Sequence, residues 1–386
     1  MSFFQPEKRL VALRSLFSGV KRNKKSVGRI FINESLVIGK QEVFPGHVFN
    51  IPTGSDISGC MHPWFMGYEA LVPASSIYTA KKGRLVSGRE ELFSFEYSVF
   101  DELTSQVQNP GAHLSKADFG KELRVRGSVL SLSLGGLESN YYHFLVEFLA
   151  RYWIFRCSGI EVDWFVVPDH LSFQKEFLAI LGINEKKIIR WGEHTSLVAD
   201  TIVYPGLINN YMRVFQSDGL VNFRKKWLPS WLIDLYAWLK SQAVQRIDFP
   251  FVHKRIYVSR QSASNRRVVN EEKLLAALRA YGFLLLDCAE MSVSDQIAAF
   301  SGADMVIAPH GAGLANLLFG EPGTAVLELF PDLEYQDPSH WLTCNLIGHK
   351  YSYLIGDPVA SSAKNPKDRD FAIEVDEVIK WVCSQS

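Results

Sequence analysis

Residues 304–319 read "DMVIAPHGAGLANLLF". An apolar run at 305–308 leads into Pro309 and His310, a Gly-Ala-Gly turn follows, and an apolar helical pattern starts at once. Strand, glycine turn and helix in that order form the building unit of a parallel α/β sheet. The same alternation surrounds it. Strand "RIYVSR" (255–260), helix "VNEEKLLAALRAYG", strand "FLLLDC" and helix "SVSDQIAAFSGA" precede the stretch, and strand "TAVLEL" follows it. Fully apolar strands alternating with helices of this length predict a parallel sheet covered on both faces. Asn270 before Glu271 and Glu272, and Ser292 three residues before Asp295, mark helix starts. Residues 246–386 are therefore expected to form a Rossmann-like domain, with a terminal helix at 371–383 packing back.

Upstream the pattern is mixed. Strands are expected at 31–48 and 72–80 and a helix at 140–156. "DWFVVP", "LSFQKEFLAILG", "KKIIRW" and "LVADTIVYPG" then follow as strand, helix, strand, strand, and a further helix lies near 228–243 before the breaker "DFP". Residues 27–245 are expected to be an α/β domain with antiparallel additions.

Composition bounds the function. The 386 residues are 47% hydrophobic, enough for two cores, and 41 basic residues balance 41 acidic ones, which argues against a nucleic-acid partner. Five scattered cysteines show no metal spacing and point to a reducing, cytosolic setting. No run is long and apolar enough for a membrane span or a signal peptide. Residues 1–26 stand apart, because "EKRLVALRSLFSGVKRNKKS" carries seven basic residues and an apolar helical stripe. Two readings fit: a helix peripheral to the inner face of an anionic membrane, or a core-packed helix followed by a solvated basic loop.

Ligands of an open parallel sheet sit beyond the carboxyl ends of its strands. His310, Gly311, Ala312 and Gly313 follow one such end, and a helix N-terminus behind a glycine turn suits phosphate. The loop "QSASNRRVVNEE" after another strand supplies Arg260, Arg266 and Arg267, whose guanidinium groups bind phosphate oxygens in pairs. Together they suit a nucleotide diphosphate. "GAGLAN" is not a dinucleotide fingerprint, since Asn316 stands where Gly or Ala belongs.

"RIYVSRQSASNRRVVNEEKL" and "ADMVIAPHGAGLANLLFGEPGTAVLEL" together resemble the core of glycosyltransferase family 61, and "SNYYHFLVEFLARYW" (139–153) is similar to that family's Asn-aromatic-aromatic-His helix. The resemblance implies a GT-B-like architecture, two Rossmann-like domains facing across a cleft. It also implies an inverting, metal-independent hexosyl- or pentosyltransferase. Arg260 and Arg267 would hold donor phosphates, residues 310–313 would cradle them, and Glu328 would approach the nucleoside. The donor, a UDP-sugar, is a substrate, and no cofactor is implied. The chain resembles the bacterial members associated with capsule or exopolysaccharide assembly, so the acceptor would be a glycan or lipid-linked glycan.

An inverting transfer needs a base for the acceptor hydroxyl. His143, Glu147 and Arg151 are spaced to share one helix face, so Glu147 or His143 is the candidate base. Asn140, Tyr141 and Arg151 are acceptor-contact candidates, Asn140 and Tyr141 also being capping candidates. The pair Asp368 and Asp370 follows a polar loop rather than an apolar strand and is expected to lead into the terminal helix, not to hold a metal. An epimerase, or a non-catalytic nucleotide-binding subunit of polysaccharide assembly, would use the same cleft.

Overall fold

The computed structural model describes residues 28–30, 38–59, 62–86, 92–93, 98–100, 120–134, 136–190, 192, 194–206, 208, 227–244, 253–332, 337–359, 363 and 365–385. The basic segment 1–26, with its two readings, lies outside the described residues.

The labelled strands are β1 (Ser55–Asp56), β2 (Glu122–Ser131), β3 (Ser196–Pro205), β4 (Arg255–Val258), β5 (Phe283–Leu286), β6 (Met305–Pro309), β7 (Ala325–Phe330) and β8 (Lys350–Ile355). Helix α1 runs through residues 141–158 in three parts: α-helical at Tyr141–His143, π-helical at Phe144–Leu149 and α-helical again at Ala150–Ser158. The remaining α-helices used below are α2 (Ser172–Ile180), α3 (Leu232–Val244), α4 (Glu271–Arg279), α5 (Val293–Gly302), α6 (Ser339–Ile347) and α7 (Val375–Ser384).

The second half is the parallel sheet expected from the alternation, in the order β5-β4-β6-β7-β8-β1. Successive strand residues point to opposite faces, and both faces are apolar here. Tyr257, Ile307, Leu327 and Leu329 pack with Leu274, Leu278, Val378 and Trp381 of α4 and α7. Their neighbours Ile256, Val306, Val326 and Phe330 join a second cluster with Phe300, Leu318 and Trp341. Each such side chain stabilises the fold by about 1.5–3 kcal/mol relative to exposure, which explains why the strands read as unbroken apolar runs.

Among the described residues, the first half builds a nine-stranded mixed sheet. Its parallel pair β2 and β3 is extended by Trp164–Val166 on one side and by antiparallel Ser75–Lys81 and Arg84–Val86 on the other. The strand expected at "KKIIRW" reduces to one bridge, Phe165 to Ile188, beside a 3₁₀ turn at Glu185–Lys187. The two sheets share the second cluster, which continues through Leu130, Phe144, Phe148, Phe177 and Val203. β1 belongs to the first half of the sequence yet pairs with β8 in the parallel sheet. Phe65 secures that crossing by stacking on Tyr353 at 4.3 Å and meeting Trp341 edge-on at 5.7 Å.

Two local expectations change. The apolar helix after the glycine turn is a 3₁₀-helix, Ala312–Phe319, buried from Leu314 onward. Asn270 makes no side-chain bond to the start of α4; its carboxamide instead exchanges hydrogen bonds with the backbone of Ile373 at 2.8 and 3.0 Å. Ser292 does cap α5, accepting from the Asp295 N–H at 3.1 Å.

Candidate functional site

The chain leaves β4 for β5 on one side and returns across β4 to β6 on the other, so the strand order reverses between β4 and β6. Ligands of open α/β sheets bind at that reversal, beyond the carboxyl ends. A cleft of about 250 Å³ opens there. Ser259 and Arg260 line it after β4, Asp287 and Cys288 after β5, and Gly311 and Gly313 after β6. The opposite wall comes from the first half of the chain, from Tyr141, Phe173 and Glu176.

The arginine loop and the glycine turn meet at one point. A Cβ at Gly311 would lie 2.1 Å from Arg260 Nη1, so no larger residue fits while the guanidinium stays there. The backbone of Gly311 is extended, at φ 178°, and sterics alone impose the glycine. Gly313 is less constrained, since its Cβ would make an ordinary 3.5 Å contact with Cys288 Sγ. Arg260 Nη2 donates to the Asn265 backbone oxygen at 3.2 Å and to Oδ1 at 3.1 Å. Its Nε is buried without a hydrogen-bond partner among the described residues. Burial first, and the neighbouring Arg266 second, pull this guanidinium down to about 10. Cys288 is pushed up to about 12 by burial, so its thiol stays protonated and offers no nucleophile.

Arg266 and Arg267 take other positions. Arg266 adopts a left-handed backbone, φ +56°, and its charge acts on both Arg260 and Glu328. Arg267 turns to Asp370, donating from Nη2 at 2.6 Å and from Nε at 3.0 Å, while its backbone N–H meets the other carboxylate oxygen at 2.9 Å. The Asp368 and Asp370 pair thus serves the arginine loop, and it leads through the short strand Phe371–Ala372 into α7.

Beneath the turn lies a polar cluster on the α6 side of the sheet. His310 Nδ1 and Glu328 Oε1 are 2.6 Å apart, and the Tyr351 hydroxyl donates to Glu328 Oε2 at 2.7 Å. The His340 ring lies 5.2 Å from that of His310 and is hydrogen-bonded to the Gly311 backbone. Glu328 is fully buried and is not among the cleft-lining residues; its contacts are with the ring and hydroxyl that surround it. The ligand atoms of His310, Glu328 and His340 lie within 4.8 Å of one another, compact enough to suggest a cation. A tetrahedral zinc ion would hold its ligand atoms about 3.3 Å apart. The 2.6 Å contact is shorter and suits a shared proton instead.

Burial pushes Glu328 up to about 7, against the opposing influence of His340 and the Tyr351 hydrogen bond. Burial likewise pushes His340 down to about 4. A raised carboxyl stabilises the fold fully below its unfolded value near 4.5 and loses that contribution as pH climbs through about 7. The depressed His340 acts oppositely, stabilising above 6.5 and losing that as pH falls through about 4. Glu328→Gln should therefore melt progressively better, relative to the parent protein, between about pH 5 and about pH 8. Melting curves at both values check this, and a constant difference would remove the ionisation from Glu328.

On α1, Asn140 caps the helix by accepting from the Tyr142 N–H at 2.9 Å. The Tyr141 hydroxyl donates to Asn316 Oδ1 at 2.8 Å and so ties the first half to the 3₁₀-helix. His143 Nδ1 and Glu147 Oε1 are 3.1 Å apart, with side chains 21% and 13% exposed. Arg151 does not continue that face. It is completely buried, donating to the carbonyls of Pro205, Ser133 and Ser131 and packing over Tyr204. The π-helical turn at Phe144–Leu149 is the reason, because its wider winding rotates everything after it relative to an ideal α-helix. His143 and Glu147 do not line the cleft, but Tyr141 does, and the Tyr142 ring sits 5.6 Å from both His143 and His340.

Residues 141–327 match the family described as Glycosyltransferase 61. A curated relative, the beta-1,2-xylosyltransferase of Arabidopsis thaliana, is 27% identical over 117 residues, covering 26% of this chain and 22% of its own length. The chain therefore spans less than a quarter of the length of the curated relative it matches. The matched stretch contains every cleft-lining residue named above. Sequence reading missed Asp287, although the rule that found His310 applies equally to a carboxylate just past "FLLL". It also missed His340, Phe173 and Glu176, which no spacing connects to the turn. No described helix is long and apolar enough to cross a membrane.

Proposed function

We propose that the protein is an inverting, metal-independent glycosyltransferase that moves a hexosyl or pentosyl group from a nucleotide-diphosphate sugar to a glycan or lipid-linked glycan. Arg260 carries this reading. It is a largely buried guanidinium on the wall of a strand-reversal cleft, seated on a glycine, and among the described residues no carboxylate hydrogen-bonds to it. A cation in that state gains most from an anion with paired oxygens, which a diphosphate supplies. The family match and the xylosyltransferase relative support the transferred group being a sugar, and a UDP-sugar is the donor we favour. Asp287, with one carboxylate oxygen held by the Ala289 N–H at 3.0 Å, faces the same cleft as an acceptor for donor hydroxyls.

In the proposed reaction the acceptor oxygen bonds to the anomeric carbon as the bond from that carbon to the diphosphate oxygen breaks. We assign the base for the hydroxyl proton to the His143–Glu147 pair, on the helix whose first residue, Tyr141, lines the cleft, and the electron pair leaves with the diphosphate beside Arg260. With Nδ1 donating to Glu147, Nε2 is the basic atom of His143. His310 and Glu328 support the turn from below. The setting we favour is cytoplasmic capsule or exopolysaccharide assembly, with segment 1–26 touching the inner face of the membrane.

A thermal-shift panel of UDP-, GDP-, CMP- and dTDP-sugars in EDTA tests the reading. Ligand at about 100 times its Kd adds about 2.7 kcal/mol of stability. At least one donor should shift the melt in EDTA, and sugar transfer should continue there. Loss of transfer in EDTA with recovery on adding magnesium or manganese would overturn the metal-free mechanism. No shift with any donor would remove the donor site.

A further inference from the structure

The arginine loop is zipped to a strap of chain just before α7. Asn265 Nδ2 donates to Asp368 Oδ1 at 2.9 Å, Arg267 pairs with Asp370, and Asn270 exchanges bonds with Ile373, each partner lying 103 residues away. Between them the Phe371 N–H donates to the Arg267 carbonyl at 3.0 Å and the Val269 N–H to the Phe371 carbonyl at 2.9 Å. The constant offset makes this a parallel strand-like register, and Val268 and Phe371 form its bridge.

Arg266 sits inside the zipped stretch at φ +56°, a conformation that disfavours non-glycine residues and persists only where flanking contacts hold it. The loop is thus held in a shape its sequence does not prefer. The first residue of the zipped stretch is Asn265, which is gripped on one side by Asp368 and holds Arg260 Nη2 on the other. Its carboxamide is the right group for this task, since its nitrogen donates to the carboxylate while its oxygen accepts from the guanidinium. The arrangement leaves Arg260 oriented by a neutral hydrogen-bond partner, with the Asp370 carboxylate acting on its charge only through space.

We propose that Asn265 and Asp368 are positioning residues of the donor site, with Asp368 fixing the Asn265 carboxamide and Asn265 aiming the Arg260 guanidinium at the bound diphosphate. This rests on the donor reading above, and it extends the donor site to the Asp-x-Asp pair in a role that involves no metal.

Calorimetric titration of the full chain with UDP, together with melting curves, tests it. Asn265→Ala and Asp368→Ala should each weaken UDP binding by about tenfold, with the donor KM rising in step and kcat at saturating donor changing less. Asp368→Asn, whose amide oxygen accepts the same hydrogen bond, should recover most of the affinity. Asn265→Asp should be weaker than Asn265→Ala, because the new carboxylate pairs with Arg260 and cancels its charge while losing the donor to Asp368. Should an Asn265 variant fail to fold, the two Asp368 variants decide. Unchanged UDP affinity in folded Asn265→Ala and Asp368→Ala, alongside weakened binding in Arg260→Ala, would overturn the positioning role alone. Unchanged affinity in Arg260→Ala would instead remove the donor reading.

Discussion

Arg260→Ala should weaken UDP binding by one to two orders of magnitude. A charge-assisted hydrogen bond contributes about 1.5–3 kcal/mol, about 10- to 100-fold in Kd, and this guanidinium is largely buried with no carboxylate among the described residues bonded to it. Arg260→Lys should recover only part, because a point charge lacks the two-pronged geometry and the stem reaches the turn differently. The contrast with Arg267 makes the result diagnostic. The sequence gives both arginines the same role, but Arg267 is bonded to Asp370 and does not line the cleft. Arg267→Ala should therefore act through the shape of the loop and reduce affinity less than Arg260→Ala. Isothermal titration with UDP checks both, and equal losses would return Arg267 to the phosphate site.

The largest effect on turnover is expected at the His143–Glu147 pair. His143→Ala removes the imidazole of the proposed base, and transfer should fall by about 10² to 10⁴ with UDP affinity near that of the parent. Glu147→Gln keeps size and polarity but weakens the hold on the ring, so a smaller loss is expected if Glu147 orients the histidine. A dead Glu147→Gln beside an active His143→Ala would make Glu147 the base. Full activity in both would leave the pair a structural feature of α1 and turn attention to His310. Single-turnover assays at saturating donor separate these outcomes from binding.

Much of the parallel sheet was legible because its determinants are local. An apolar run with both faces buried, followed by a cap or a glycine, yields a strand and a helix start wherever it occurs, and β4 to β7 appear where the alternation put them. The junction at Gly311 was legible as well, since a strand end followed by Gly-Ala-Gly has few other structural meanings. Helix α1 was only partly legible. Its i, i+4 pair was readable, but the π turn that takes Arg151 off the shared face depends on how Phe144, Phe148 and Leu149 pack against both halves of the chain.

The amino-acid sequence by itself determined strands β4 to β7, helices α4 and α5, the glycine turn and the presence of three arginines after β4. Which arginine faces the cleft was decided only in three dimensions, by partners about a hundred residues away. Asp370 takes Arg267, Asp368 fixes Asn265, and Asn265 holds Arg260 against Gly311. Glu328 likewise had a readable strand position but an unreadable environment, set by Tyr351 and His340 from later elements. The physical reason is common to both cases. Strand and helix formation rest on neighbours in sequence, whereas the charge state and direction of a polar side chain are set by whichever groups the fold brings within hydrogen-bond distance of it.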